Sequence, residues 1–220
     1  METLSEFRKF MHDGGLLMWI ILAVFVSGLA IGVYRFFRLR TFDINASSFM
    51  NEIQKLILAN KIKEAIQYCS GTTSVMARVM KNGLKRSNQN LEQVQNAIDA
   101  TALEVVPQVS AGLNWLGYFG GVATLFGLLG TILGLIESFK AVALADPAKK
   151  AEVLSNGIAI AMNSTAFGLL TAILITFLHT FIAARSEKIL NDIDQYGVKL
   201  LDLLGTMKAN KGGTLTNDDL

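Results

Sequence analysis

The sequence has little charge, and the charged residues leave three long stretches empty. Asp, Glu, Lys and Arg make up 17% of the 220 residues, against about 25% in a typical soluble domain. No charged residue occurs at positions 14–34, 105–136 or 153–184, which are stretches of 21, 32 and 32 residues. About 20 apolar residues suffice for a helix to cross the hydrocarbon core of a bilayer. The sequence therefore excludes an ordinary soluble domain and predicts three transmembrane helices.

Residues that bind metals or form disulfides are also scarce. The sequence has one cysteine, Cys69, and two histidines, His12 and His179, too few for an internal disulfide or a structural zinc site. A net charge of +2 provides no strongly basic surface for nucleic acid. We therefore predict no metal, cofactor or nucleic-acid partner, and we interpret Cys69 as a small packed hydrophobic residue.

The basic residues beside the three stretches indicate how the chain crosses the membrane, because Lys and Arg are enriched on the cytoplasmic side. With the N-terminus outside, the inner flanks carry eight of these residues and the outer flanks five. The inner set is Arg35, Arg38, Arg40, Lys85, Arg86, Arg185, Lys188 and Lys199, and the outer set is Arg8, Lys9, Lys140, Lys149 and Lys150. We predict an external N-terminus, a cytoplasmic C-terminus and an uncleaved first transmembrane helix.

The predicted fold class is all-α: an integral membrane protein whose second and third transmembrane helices extend far into the cytoplasm. We expect one helix from about Asn90 to beyond Phe139, bent at Pro107 because proline removes a backbone hydrogen bond. Asp146 and Pro147 match a helix cap followed by the first helical residue. The third helix is expected to run from Pro147 to Met207.

The predicted segments follow one another without an internal repeat. Apolar residues at helical spacing near positions 49–57, 62–69 and 75–84 predict a small helical domain before the second span. In chain order, the segments are an external N-terminus at 1–13, a transmembrane helix at 14–36, a cytoplasmic helical domain with the start of the second long helix at 37–104, a transmembrane helix at 105–139, a short external connection at 140–152, a transmembrane helix at 153–184, a cytoplasmic helix extension at 185–207 and a flexible tail at 208–220.

Small and hydroxyl-bearing residues form one stripe on each of the last two spans. A spacing of three and four residues places each stripe on one helix face. The second span carries Gly120, Thr124, Gly127, Thr131, Gly134 and Ser138, and the third carries Ala161, Thr165, Gly168, Ala172, Thr176, His179 and Ala183. The stripes, with Gly130 beside the first, indicate close packing of the helices, a polar surface that faces an ion pathway or a partner helix, or both.

Two threonines of these stripes are predicted to lie at a similar depth. Counted from the outer charges at about 1.5 Å per residue, Thr131 and Thr165 both lie roughly 13 to 20 Å from the outer surface. We therefore expect their hydroxyl groups to face one another. Apart from Arg35 and Glu137 near their ends, the spans contain no Asp, Glu, Lys or Arg, although ion pathways in membranes generally use ionisable groups. If this chain moves ions, a partner must supply the carboxylate; His179 is either an interfacial residue or a proton relay.

Three segments of the sequence resemble a known family. The run Gly127-Leu-Leu-Gly-Thr-Ile-Leu-Gly134, followed by Ser138-Phe139, is similar to the GLxGTVxG…F segment of the MotA/TolQ/ExbB proton channel family. Gly157-Ile-Ala, with Thr165-Ala166 and Gly168-Leu169, resembles the third-span segment of that family, and residues 75–84 resemble its cytoplasmic-loop motif. The segments occur in the family's order and cover most of the chain.

The resemblance implies an ExbB/TolQ-like subunit of the bacterial inner membrane that forms a homopentamer. It implies a partner, a single-span subunit of the ExbD or TolR type that supplies an aspartate, and a periplasm-spanning protein of the TonB or TolA type. The family's two threonines correspond to Thr131 and Thr165, and Thr124, Ser138, Ser164 and Asn163 add polar groups near this ion pathway. The implied activity is the use of a proton or sodium gradient for mechanical work, with ExbB-like energising of outer-membrane transport favoured over a TolQ-like role in envelope maintenance.

The chain departs from the family pattern at two positions and leaves other functions open. Thr124 stands where the family often has proline, and Ile160 stands where a glutamate is common. Glu137, near the outer end, either marks the membrane interface or attracts cations. The alternatives are a purely structural membrane scaffold and an intramembrane hydrolase; the hydrolase is disfavoured because Ser164 and His179 lie roughly 22 Å apart along one helix.

Overall fold

The structure, a computed structural model, describes residues 8, 10–12 and 14–213, with side chains described as far as residue 209. All of the regular elements in this part of the chain are helices, which confirms the predicted all-α fold. The predicted external N-terminus (1–13) lies largely outside the described residues. We number the helices α1 (Gly15–Phe42), α2 (Ala46–Leu58), α3 (Ile62–Ser70), α4 (Val75–Lys85), α5 (Leu91–Ser110), α6 (Leu113–Leu144) and α7 (Lys150–Gly213).

The helices form two compact units. Among the described residues, unit 1 contains those up to Arg35 together with Gly112–Ile182, and unit 2 contains Phe36–Ala111 and the residues from Ala183 onward. Three helical stretches are long and apolar enough to cross a membrane, and they begin at Gly15, Leu91 and Lys150. This result confirms the three predicted transmembrane helices.

In unit 1, glycines bring the backbones of α6 and α7 into close contact. A Cβ atom added to Gly168 would lie 2.7 Å from the backbone oxygen of Ala123 and 2.9 Å from the Cα of Gly127. A Cβ atom added to Gly134 would lie 2.7 Å from the Cβ of Ala161. The two predicted stripes therefore pack against one another within a single chain, as small residues permit in lipid.

A second small-residue pair packs α1 against α7. Gly28 and Gly32 are buried, and side chains added there would collide with Ile175 and Leu178 of α7. The sequence signal for this contact is a Gly-x-x-x-Gly spacing in the first span, outside the two stripes of the later spans.

The second long helix is interrupted, although we expected a continuous helix bent at Pro107. Pro107 lies inside α5, and the interruption comes at Ala111 and Gly112, between α5 and α6. Ala111 has φ −54° and ψ 137°, and Gly112 has φ 76° and ψ −9°. These are the angles of a type II turn, which requires a positive φ that glycine adopts without strain. The break is therefore located by the glycine and not by the proline.

Both ends of the third long helix also differ from the prediction. A turn over residues 147–149 precedes α7, in which the amide of Lys149 donates to the carbonyl of Asp146, so the helix begins at Lys150 and not at Pro147. The helix continues to Gly213, beyond the predicted end at Met207, so the predicted tail is helical over its first residues. The rest of that tail (214–220) lies outside the described residues.

Unit 2 contains the small helical domain that the sequence predicts. The side chains of Asn45, Ser74 and Asn90 accept hydrogen bonds from the first turns of α2, α4 and α5 and so begin these helices. Apolar side chains of the unit are fully buried, among them Met50, Ile53, Ile57, Met80, Leu84, Val94 and Leu200. Cys69 is buried with them, which confirms that it is a packed hydrophobic residue.

The glycine contact predicts a large effect for one added methyl group. Gly168→Ala should destabilise the protein by about 1–3 kcal/mol, because the backbone of α6 cannot move away without losing other contacts. Gly121→Ala is the matched control, since nothing lies within 4 Å of its added Cβ. The thermal unfolding midpoint in detergent, followed by Trp fluorescence, measures both variants. Equal midpoints would show that the close approach is not required for stability.

Burial of Cys69 predicts slow reaction of its thiol. Desolvation raises its pKa from 9.0 to about 11, with a smaller opposing influence of Lys81. At pH 8 the folded protein should therefore react with iodoacetamide about a hundredfold more slowly than the unfolded protein. Because burial favours the neutral thiol, this residue stabilises the fold below pH 9 and ceases to do so as the pH rises toward 11. Similar alkylation rates in both states would contradict this description.

Candidate functional site

The hydroxyl groups of Thr131 and Thr165 face one another, as predicted from their depth. Their Oγ1 atoms are 3.1 Å apart, and both side chains are half-buried between α6 and α7. Thr165 donates to the backbone oxygen of Gly127 at 2.8 Å, and Thr131 contacts the backbone oxygen of Leu128 at 2.7 Å. We call this arrangement the hydroxyl pair.

The hydroxyl pair has more acceptor capacity than donor capacity. Each threonine carries one proton and two lone pairs. Three contacts are made, two to backbone oxygens and one between the hydroxyls, and only two protons are available for them. The pair therefore has oxygen lone pairs left to receive a proton donor or a cation.

The elements around the pair hold it in place. Gly127 and Gly168 allow the backbones to approach, so that the hydroxyl of Thr165 on α7 reaches the carbonyl of Gly127 on α6. The glycines that the sequence analysis assigned to packing are buried or half-buried at this interface: Gly120, Gly127, Gly130, Gly134 and Gly168. Among the described residues, no group of three or more His, Cys, Asp or Glu side chains could hold a metal ion.

Two further predicted pathway residues bond to their own helix. The hydroxyl of Thr124 donates to the carbonyl of Gly120 at 3.3 Å, and that of Ser138 donates to the carbonyl of Gly134 at 2.7 Å. Hydroxyl groups in transmembrane helices commonly satisfy themselves in this way. Both residues lie on the α6 stripe, but neither makes a hydrogen bond to the hydroxyl pair.

Ser164 and Glu137 lie together, in a cavity beside the start of α1. This cavity of about 310 Å³ is also lined by Gly130, Ile160 and Ala161, and neither threonine of the hydroxyl pair lines it. Ser164 is 2% exposed and packs against Gly130, whereas Glu137 is exposed. Ser164 and Glu137 therefore line a cavity to which the hydroxyl pair does not belong. The sequence had grouped Ser164 with that pair. Asn163 is half-buried on α7.

His179 lies in another part of unit 1. It is half-buried and lines an open cavity of about 600 Å³ together with Asn114, Gly117 and Tyr118. The hydroxyl pair and His179 are not part of the same cavity. Arg35, which the sequence predicts only as a charge flanking the first span, is 3% exposed and packs near Gly112. No spacing rule reveals this burial, because it depends on the turn at Gly112.

Comparisons with known proteins identify the family of the chain. The model of the MotA/TolQ/ExbB proton channel family matches residues 71–195, more than half of the chain. An ExbB homolog of Methanothermobacter thermautotrophicus, by its name a biopolymer transport protein, is 24% identical over 83% of this chain and 65% of its own. The biopolymer transport protein exbB1 of Vibrio cholerae is 47% identical over 30% of this chain and 29% of its own.

A further relative belongs to a different system. The Tol-Pal system protein TolQ of Pseudomonas aeruginosa is 32% identical over 46% of this chain and 43% of its own. The chain thus spans less than two thirds of the length of each of these three relatives. The family match includes the whole of α6, with Thr131, and the part of α7 that carries Thr165, so this chain belongs to the MotA/TolQ/ExbB proton channel family.

Proposed function

We propose that this chain is the channel subunit of an ion-driven motor in the bacterial inner membrane. The observation that carries the proposal is the hydroxyl pair, in which Thr131 and Thr165 meet at 3.1 Å inside two charge-free spans. Family membership supports it. In the proposed complex, five copies surround a single-span ExbD/TolR-like partner, whose aspartate lies beside the hydroxyl pair. The proposal assigns no catalytic group to this chain.

The hydroxyl pair suits both protonation states of such an aspartate. When the acid is protonated, it donates to a threonine oxygen, and the threonine protons remain on the carbonyls of Gly127 and Leu128. When the acid is ionised, the hydroxyls rotate and donate to the carboxylate, and they give up their backbone bonds. An ionised carboxylate in a low-dielectric channel also pays a desolvation cost that the neutral acid does not. Protonation therefore changes the position that the partner helix prefers.

The proposed orientation follows the charges at the ends of the spans. We place the N-terminus in the periplasm, unit 2 and the C-terminus in the cytoplasm, and the connection between α6 and α7 in the periplasm. We keep the order of segments predicted from the sequence and take the bounds of the helices from the structure. The exposed apolar side chains on α6 and α7, such as Leu125, Leu128 and Leu170, are available for lipid or for other copies of the chain.

The names of the relatives point to two related tasks. Those named ExbB act, by name, in biopolymer transport, and the TolQ protein belongs to the Tol-Pal system. We favour ExbB-like energising of outer-membrane transport through a TonB-like protein. A TolQ-like role with a TolA-like protein is the alternative, supported by the 32% identity to the TolQ protein.

Removing both hydroxyls tests the proposal. Thr131→Ala with Thr165→Ala should lower ion flux about tenfold or more in proteoliposomes that also contain the co-purified single-span partner, because the partner's acid loses its hydrogen-bonding groups. Thr131→Ser with Thr165→Ser should retain flux, since serine keeps the hydroxyl. The matched control is Thr180→Ala with Thr206→Ala, whose hydroxyls bond only to carbonyls of α7 itself.

The same assay separates a motor from a scaffold. Recovery of the complex by size-exclusion chromatography shows whether the alanine variant still assembles. Loss of flux with intact assembly supports the proposed role of the hydroxyl pair. Normal flux in the alanine variant would remove the hydroxyl pair from the ion path, and absence of gradient-dependent flux in the unaltered complex would favour the structural scaffold.

A further inference from the structure

One cavity of unit 1 contains two polar residues that the hydroxyl pair does not use, Glu137 and Ser164. We call it the Glu137 cavity. A Cβ atom added to Gly130 would lie 3.8 Å from Cδ1 of Leu17, so the start of α1 forms one wall of the cavity. The residues that line it come from three parts of unit 1: positions 14–17 at the start of α1, positions between 130 and 137 of α6, and positions between 160 and 164 of α7.

Ser164 brings a buried hydroxyl group without a partner to this cavity. The residue is 2% exposed, and within the described part of the chain its hydroxyl takes part in no hydrogen bond. Ser138, by contrast, donates to the carbonyl four residues earlier in its own helix. A buried hydroxyl that lacks a hydrogen bond is costly, unless water or a ligand supplies the missing partner. Since Ser164 lines the Glu137 cavity, that partner is expected there.

Glu137 supplies the charge of the cavity. It is the one charged residue among the described residues that line the cavity. Lys140, the basic residue nearest to it in sequence, does not line the cavity, and Glu137 forms no ion pair with any described residue. Its carboxylate is therefore a negative charge that no lining residue neutralises.

The two polar groups lie at different levels of the same cavity. Ser164 packs against Gly130, which precedes Glu137 by seven residues, about 10 Å along the axis of α6. Side chains lean towards the N-terminus of their helix, so the carboxylate of Glu137 extends towards Gly134 and shortens this distance. The cavity volume of about 310 Å³ has room for several water molecules, each of which takes about 30 Å³ in the liquid. The arrangement thus suits a cation that keeps part of its water.

We propose that the Glu137 cavity binds a hydrated sodium ion. The carboxylate of Glu137 contacts the ion, and the hydroxyl of Ser164 binds one of the water molecules that the ion retains. Sodium is a hard cation that takes oxygen ligands. Calcium is disfavoured, because its sites usually combine several protein oxygens, whereas one carboxylate lines this cavity among the described residues.

The proposed ion would lie close to the hydroxyl pair without touching it. Ser164 directly precedes Thr165, and Gly130 directly precedes Thr131. The end of the cavity formed by Ser164 and Gly130 is therefore one residue away from each threonine. The proposal concerns binding alone and does not depend on the proposed function.

Sodium binding to the purified complex tests the site. The complex is placed in phosphatidylcholine nanodiscs, sodium is exchanged for choline at constant ionic strength, and the transverse relaxation of ²³Na reports the bound ion. Glu137→Gln should raise the dissociation constant about tenfold or more, because it removes the charge that attracts the ion. Glu152→Gln is the matched control, since Glu152 is an exposed acid of α7 outside the cavity, and it should leave binding unchanged.

Removing the hydroxyl separates a binding site from a surface charge. Ser164→Ala should raise the dissociation constant about threefold and should not lower the thermal unfolding midpoint, because the hydroxyl has no hydrogen bond within the described protein to lose. Ser155→Ala, at an exposed position of α7, should change neither quantity.

Three results would overturn the proposal. Unchanged sodium binding in Glu137→Gln, or an equal loss in Glu152→Gln, would show that the Glu137 cavity is not the site. Unchanged binding in Ser164→Ala would assign the ion to a surface carboxylate alone. Weaker binding together with a lower unfolding midpoint in Ser164→Ala would assign a structural role to that serine.

Sodium binding and ion flux are measured independently. Thr131→Ala with Thr165→Ala should bind sodium as the unaltered protein does, because neither threonine lines the Glu137 cavity. Loss of flux in this variant with normal sodium binding supports the proposed function and leaves the site intact. Absence of flux in the unaltered complex would count against the proposed function, whereas sodium binding that depends on Glu137 and Ser164 would still support the site.

Discussion

The contact on which unit 1 depends is the close approach of two backbones at Gly127 and Gly168. A Cβ added to Gly168 would lie 2.9 Å from the Cα of Gly127, so no side chain fits between α6 and α7 at this level. The same approach lets the hydroxyl of Thr165 on one helix donate to the carbonyl of Gly127 on the other. Packing and chemistry thus have one cause, because the contact that joins the hairpin also places the Thr165 hydroxyl 3.1 Å from that of Thr131.

Much of this site can be predicted from the sequence, because its determinants are periodic. A spacing of three and four residues defines a helix face, and counting residues from the nearest charge gives a depth, which together pair Thr131 with Thr165. The turn at Ala111 and Gly112 follows no such period. It depends on a positive φ at one glycine, whereas the prediction placed the bend at Pro107 and was wrong. The burial of Arg35 beside that glycine was missed for the same reason.

The distribution of charge has one physical basis throughout the chain. Charged side chains are costly in hydrocarbon, so they are absent from the spans and concentrated where the spans end. At the end of α1 the guanidinium groups of Arg38 and Arg40 are exposed and lie near the rings of Phe42 and Phe36. Near the centre of the hairpin, the polar side chains that remain, such as Thr131, Asn163 and Thr165, are uncharged. Such a hairpin can respond to a carboxylate from a partner without carrying a buried charge of its own.

The placement of Ser164 changes which oxygens the proposed channel would offer to an ion. Sodium is a hard cation that favours several oxygen ligands, and the run Asn163, Ser164, Thr165 offers three polar side chains in sequence. In the structure, Ser164 packs against Gly130 and lines the cavity that contains Glu137, whereas Thr165 turns to Thr131. The hydroxyl pair therefore lacks the extra oxygen that the sequence suggested. At the hydroxyl pair of the proposed channel, the oxygens that an ion or the partner's acid would meet are therefore the two hydroxyls and the carbonyls of Gly127 and Leu128, without that of Ser164.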